Sequence, residues 1–204
     1  MQMIRRIVGI ALVLLVAYSV QLKAQDQRNR GYIGVGLGPS FILGNNNVKA
    51  GTGLNLNLLN VGYVIGKGFG VTGVWAGGAH RFDSEATIYV HGSTPSPAKV
   101  EFSYGVLMIG PMYTLNLTED ASLDFKLRLG RLYTYNKATT ADSESISENT
   151  TLGASLGVGY RKKVANRWCV MLSSDYYGGR RQYNFTGEQN THLLSFTAGV
   201  GFVL

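Results

Sequence analysis

The residues of this chain that could do chemistry are three histidines, one cysteine and a short series of alternating charges. A hydrolytic site would need a histidine beside a serine and an acid. His192 stands three residues before Ser195, which on a strand puts the two on opposite faces, and no acid lies in that stretch. His80 and His91 flank a polar excursion and read as solvated loop residues. Catalytic residues, a metal site and a cofactor are therefore all expected to be none. Gly66-Lys67-Gly68-Phe69-Gly70 and Gly34-Val35-Gly36-Leu37-Gly38 have the look of phosphate loops, but neither opens a helix. Each reads as a turn or a smooth strand face. Cys169 alone closes no internal disulfide, and it is not at a position where a lipoprotein would carry its acyl group.

The charges are more informative. Asp124, Lys126 and Arg128 alternate with Leu123, Phe125, Leu127 and Leu129, so one strand face is charged and the other is oily. Arg161 and Asp175 occupy the small, polar register of later strands. Inside a narrow closed barrel these five would pair and plug the lumen, because an uncompensated charge in so confined a space is costly. Asp175 or Asp124 is the expected partner of Lys126. An ion pathway is the competing reading of the same five residues. Arg180 and Arg181, placed in an outer loop, suit the phosphates of lipid A headgroups or simply the solubility of that loop.

The elements that must position these groups are strands. In the closing stretch Leu193–Leu204, the residues Leu194, Phe196, Ala198, Val200, Phe202 and Leu204 alternate with Ser195, Thr197, Gly199 and Gly201. Similar alternation recurs in Gly31–Phe41, in Gly53–Ile65 with a phase slip at Leu58-Leu59 that a bulge would absorb, and from Phe69. It continues in Glu101–Leu115, from Leu123, in Thr150–Lys162 and from Trp168. The connections alternate between short turns (Gly66-Lys67-Gly68, Asn116–Ala121, Lys162–Arg167) and long polar stretches (Arg81–Lys99, Lys137–Asn149, Gly178–Asn190). These long stretches are read as loops. The fold expected is all-β, an eight-stranded antiparallel up-and-down transmembrane β-barrel over residues 31–204.

Export fits this reading. Arg5 and Arg6 precede the apolar run Ile7–Val20, and Leu22-Lys23-Ala24 offers a small residue before Gln25, so residues 1–24 read as a cleaved signal peptide and 25–30 as a short lead. Cleavage removes Arg5, Arg6 and Lys23 and no acid, so the 19 basic residues become 16 against 12 acidic. That mild positive charge in an exported chain excludes nucleic acid as a partner.

Aromatic residues are sorted along the strands. Tyr63, Phe69, Tyr113, Phe125, Tyr160, Trp168 and Phe202 lie beside the short turns in the apolar register, and Phe41, Tyr133, Tyr135 and Tyr176 lie toward the long connections. These read as two interfacial girdles. Gly110-Pro111-Met112-Tyr113-Thr114-Leu115, the block Leu152–Tyr177 and the ending Gly199-Val200-Gly201-Phe202 resemble the OmpX/Ail type of small outer-membrane proteins. The resemblance implies a bacterial outer-membrane location among lipid and lipopolysaccharide, and assembly through a closing strand read by the barrel-assembly machinery. Such chains usually end in Phe, whereas this one ends in Leu204. It also implies a non-enzymatic protein whose loops bind an extracellular or envelope partner. A narrow channel or small-ligand transporter is the alternative, and a lipid-modifying enzyme a third reading.

Overall fold

The computed structural model describes residues 30–43, 52–84, 98–139, 144–183 and 187–204, with the side chains of residues 82–84, 98, 138, 180–183 and 187–189 outside the description. The export segment, the lead to residue 29 and residues 85–97 of the Arg81–Lys99 stretch also lie outside the described residues. Eight strands follow in chain order: β1 Gly31–Leu43, β2 Gly53–Gly66, β3 Phe69–Ser84, β4 Ala98–Asn116, β5 Ala121–Thr139, β6 Glu144–Lys163, β7 Trp168–Tyr183 and β8 Gly187–Val203. Each pairs with the next, and β8 returns to β1 to close a barrel. The seam runs antiparallel from Tyr32↔Val203 to Leu43↔His192, and the Leu204 amide donates to the Gly31 carbonyl at 2.8 Å. Closure satisfies the backbone of both end strands, which is what permits strands to stand in hydrocarbon.

Alternation of side chains gives the wall two chemistries. Ile33, Val35, Leu37, Leu54, Leu107, Ile109, Leu127, Leu129, Leu156, Val170 and Val200 are exposed on the outside. Their neighbours in sequence point into the lumen and are buried or, at several glycines, half-buried. At Leu58 the register slips against both β1 and β3, which keeps the leucines on either side of the slip facing outward. The β2–β3 turn has positive φ at both Lys67 (51°) and Gly68 (82°), the backbone of a two-residue turn whose twist suits a hairpin.

Among the described residues, the stretches Lys137–Asn149 and Gly178–Asn190 are mostly strand and Arg81–Lys99 is strand at both its ends, a correction to the sequence reading. β5 runs to Thr139 and β6 starts at Glu144, β7 runs to Tyr183 and β8 starts at Gly187. β3 and β4 likewise extend through Ser84 and from Ala98. Strands of 19 and 20 residues far exceed the roughly 9–11 that cross a bilayer. A strand wet on both faces has no apolar alternation, so its polarity resembles that of a loop. Beyond the barrel, β3, β4, β5 and β6 continue as one sheet, paired out to Ser84↔Ala98, Lys99↔Thr139 and Thr139↔Glu144. The β6–β7 ladder stops at Gly153↔Gly179.

Candidate functional site

The lumen is filled in layers. At the short-turn end Tyr32, Cys169, Met171 and Val203 form a buried apolar cluster. Next comes the charged layer. Arg161 donates through Nε to Asp124 Oδ2 at 2.8 Å and through Nη2 to Oδ1 at 3.1 Å, a two-pronged pair. The Thr114 hydroxyl also donates to Asp124 Oδ1 at 2.8 Å. The Arg161 guanidinium lies 4.2 Å from the centre of the Tyr32 ring, so the apolar cluster and the charges share a face. Arg128 Nη1 donates to Asp175 Oδ1 at 2.8 Å, and Arg128 Nε to Thr72 Oγ1 at 3.3 Å. Ser173 donates to the other Asp175 oxygen at 3.0 Å. Both pairs are buried from solvent.

Arg128 and Asp175 stand on strands two apart, and they meet across β6 because Gly157 lies between them. A methyl there would collide with Asp175 Oδ1. Gly159 leaves space in the same way for the Lys126 ammonium, which would sit 2.8 Å from an added Cβ. These glycines serve close approach rather than turning.

Lys126 departs from expectation. Neither Asp124 nor Asp175 pairs with it; each acid is taken by an arginine. Its ammonium is buried, with Asn60 Oδ1 at 3.5 Å and the Tyr32 ring centre at 5.5 Å. Arg161 takes both oxygens of Asp124 with its planar fork, and Arg128 divides its fork between Asp175 Oδ1 and Thr72, whereas an ammonium is a point charge. The five charges therefore leave one cation without a carboxylate.

Outward from the charges, Val74, Ala76, Phe102, Tyr104, Val106, Met108, Leu132, Tyr177 and Leu193 pack as an apolar plug. Above it His80 is buried, correcting its reading as a solvated loop residue. It sits on β3, its Nε2 lies 3.0 Å from Ser40 Oγ, and its ring stands 5.9 Å from that of Phe102. The strand extends past the point where polarity suggested a loop, and His80 falls in its inward register. His91 lies outside the described residues. Ser195 faces inward and donates to the Asp175 carbonyl, whereas His192 shares a hydrogen bond with the Tyr176 hydroxyl on the outer wall. Histidine and serine are on opposite faces. Among the described residues no cluster of His, Cys, Asp and Glu could hold a metal.

On the outer wall, Tyr63, Phe69, Phe125 and Trp168 are exposed and Tyr113, Tyr160 and Phe202 half-buried, all toward the short turns. The rings of Phe69 and Tyr113 stand 5.0 Å apart, and Tyr113 pairs with Phe125 on the next strand. Trp168 meets Phe202 edge-on at 5.8 Å, and the Arg167 guanidinium lies 5.8 Å from the Phe202 ring. Phe41, Tyr133, Tyr135 and Tyr176 lie farther from the short turns along β1, β5 and β7. Arg180 and Arg181 belong to the outer part of β7, opposite Asn190 and Gln189; their side chains lie outside the described residues.

A closed ring of eight strands, oily outside, banded with aromatic rings and packed with charges inside, defines a small transmembrane β-barrel. The family model for the outer membrane protein beta-barrel domain matches residues 10–203, and the chain belongs to that family. Its fold matches that of Ail, the attachment invasion locus protein of Yersinia pestis. Identity is 16%, 87% of this chain and 100% of Ail are covered, and the TM-score is 0.55. It also matches Neisserial surface protein A at 14% identity, covering 85% and 97% of the two chains with a TM-score of 0.51. A major outer membrane protein of Thermus thermophilus aligns at 12% identity, covering 85% and 99%, with a TM-score of 0.52. Among curated proteins none matches in sequence. The protein is a barrel of the bacterial outer membrane whose fold is like that of Ail.

Proposed function

We propose that the protein is a non-enzymatic outer-membrane barrel whose extracellular sheet binds a surface, host or envelope protein by strand addition. The observation that carries this reading is the far edge of β6. From Glu144 to Leu152 β6 ladders with β5, while its ladder to β7 begins only at Gly153. That edge, with the sequence ESISENTTL, contains neither the proline nor the lysine that commonly blunts exposed edges. An extended segment of a partner could take the place β7 leaves, its main chain supplying affinity and its alternate side chains specificity. Ail, a barrel of the same fold, has been solved in complex with the heparin analogue sucrose octasulfate, which supports a ligand-binding role. In this reading residues 1–24 are removed on export, the short turns face the periplasm, and the closing strand engages the barrel-assembly machinery. The apolar plug favours binding over conduction.

The test is to replace residues 134–149 by an Asn-Gly turn joining Tyr133 to Thr150, which removes the outer β5–β6 hairpin. Heat-modifiable migration should show the barrel still folded. Pull-downs from envelope and host extracts should then lose the partners that the intact barrel retains by at least about tenfold. The same partners retained by both forms would sink the proposal.

A further inference from the structure

On β5 the outward series Leu123, Phe125, Leu127 and Leu129 is followed by Arg131, an exposed arginine paired in register with Leu107 on β4 and Leu152 on β6. It makes no ion pair with any acid among the described residues. Eight residues at about 3.3 Å each, tilted by about 40°, place it roughly 20 Å above Leu123, near the top of an apolar band about 25 Å tall. Immediately outward lies a trough of about 340 Å³ on the wall, lined by Ser103, Gly105, Tyr133, Tyr135, Glu148 and Thr150. Gly105 forms its floor. A Cβ added there would meet only the Tyr133 side chain, at 3.8 Å, so the absent side chain opens the trough rather than relieving a clash.

The parts are ordered along the membrane normal. Leu107, Ile109, Leu129 and Leu152 call for acyl chains against them, Arg131 for an anion just above, and the two tyrosine rings with their polar rim for sugar. Aromatic faces take the C–H face of a pyranose, while hydroxyls and a carboxylate accept or supply its hydrogen bonds. A guanidinium binds phosphate two-pronged. We infer that this wall is a binding site for a phosphorylated glycolipid of the outer leaflet, its phosphate on Arg131 and its sugar in the Tyr133–Tyr135 trough. Gly105 and Tyr133 stand one outward-facing position beyond Leu107 and Arg131 on the lipid-facing wall, so the occupant is an anchored lipid rather than a free sugar phosphate. The trough shares Glu148 and Thr150 with the β6 edge, but Arg131 and Gly105, the residues changed in the test, lie on β5 and β4 outside it.

The experiment reconstitutes the full barrel in nanodiscs containing bisphosphorylated lipid A, its dephosphorylated form, or phosphatidylglycerol, and counts lipids retained by native mass spectrometry after transfer to detergent. The wild type is expected to retain one bisphosphorylated lipid A and to retain the other two at least about tenfold less. Arg131→Leu continues the leucine register and Gly105→Leu fills the trough; each should lose retention about tenfold while keeping heat-modifiable folding. Arg81→Leu, higher on the sheet and paired with Glu101, should retain lipid like the wild type. Equal retention of phosphatidylglycerol, or undiminished retention in either Arg131→Leu or Gly105→Leu, would overturn the assignment.

Discussion

Lys126 shows how unequal five charges in one lumen can be. Arg128 and Arg161 each hold a carboxylate at 2.8 Å, whereas Lys126 is as deeply buried and has an amide oxygen at 3.5 Å and the Tyr32 ring at 5.5 Å but no carboxylate. Burial of a cation without a carboxylate opposes folding, so its removal should relieve the barrel. Lys126→Met is expected to leave stability unchanged or raise it. Arg128→Met strands Asp175 in the lumen and should lower stability by about 3–5 kcal/mol, the usual cost of breaking a buried pair from one side. Urea unfolding of the two variants in detergent micelles, followed by tryptophan fluorescence, measures both. A loss as large for Lys126→Met as for Arg128→Met would show that the ammonium has a partner of equal weight. On the exposed sheet, by contrast, Lys137 and Glu144 meet at 2.9 Å. The hydrogen bond and charge of Glu144 hold that ammonium above its ordinary range, but a solvated pair contributes little to stability.

Single strands set the balance between lipid and lumen. Leu127 is exposed on the wall, between the inward-facing Lys126 and Arg128. Leu127→Arg puts a charge near the bilayer midplane, at a cost of roughly 2–4 kcal/mol, and should sharply reduce the heat-modifiable fraction in outer-membrane preparations. Insertion equal to wild type would contradict the register of β5. The closing strand is tested by truncation. Removing Gly199–Leu204 strips the partners of Tyr32–Gly36 on β1 and of Trp168–Met171 on β7. The open seam would face lipid with unpaired amides, so no folded species should be seen on unboiled gels. A band shift that survives the truncation would mean the barrel closes elsewhere. Strand faces were legible in the sequence wherever one face was oily and the other small or charged, as on β5, β6 and β8, and even the slip at Leu58 could be read from the leucines. The outer halves of β5 and β6 were not legible, because water on both sides erases the alternation. The pairing of Lys126 was not legible either, because periodicity assigns a face but not a partner.

For the whole molecule the question is whether the stacked layers leave a path. An apolar cluster at Tyr32, Cys169, Met171 and Val203 closes one end, and the Val74, Val106, Leu132 and Tyr177 plug lies beyond the charges. Between them a cavity of about 10 Å³ bordered by Asn57, Asn60, Met171, Ser173 and Thr197 has room for about one water. The plug escaped the sequence reading because β4 is apolar on both faces there. Val106 and Met108 point inward while Leu107 and Ile109 point to lipid, and alternation cannot rank one oily face over another. An ion crossing this lumen would have to shed its hydration shell against side chains that offer no replacement, a penalty of many kcal/mol. The charged layer does not supply a route, since its carboxylates are already held by arginines. Purified, folded barrel added to a planar bilayer should therefore give no unitary current at moderate voltage, with or without Lys126. Discrete steps from the wild type that scale with salt concentration would show that the plug moves aside, and the channel reading would then displace the binding one.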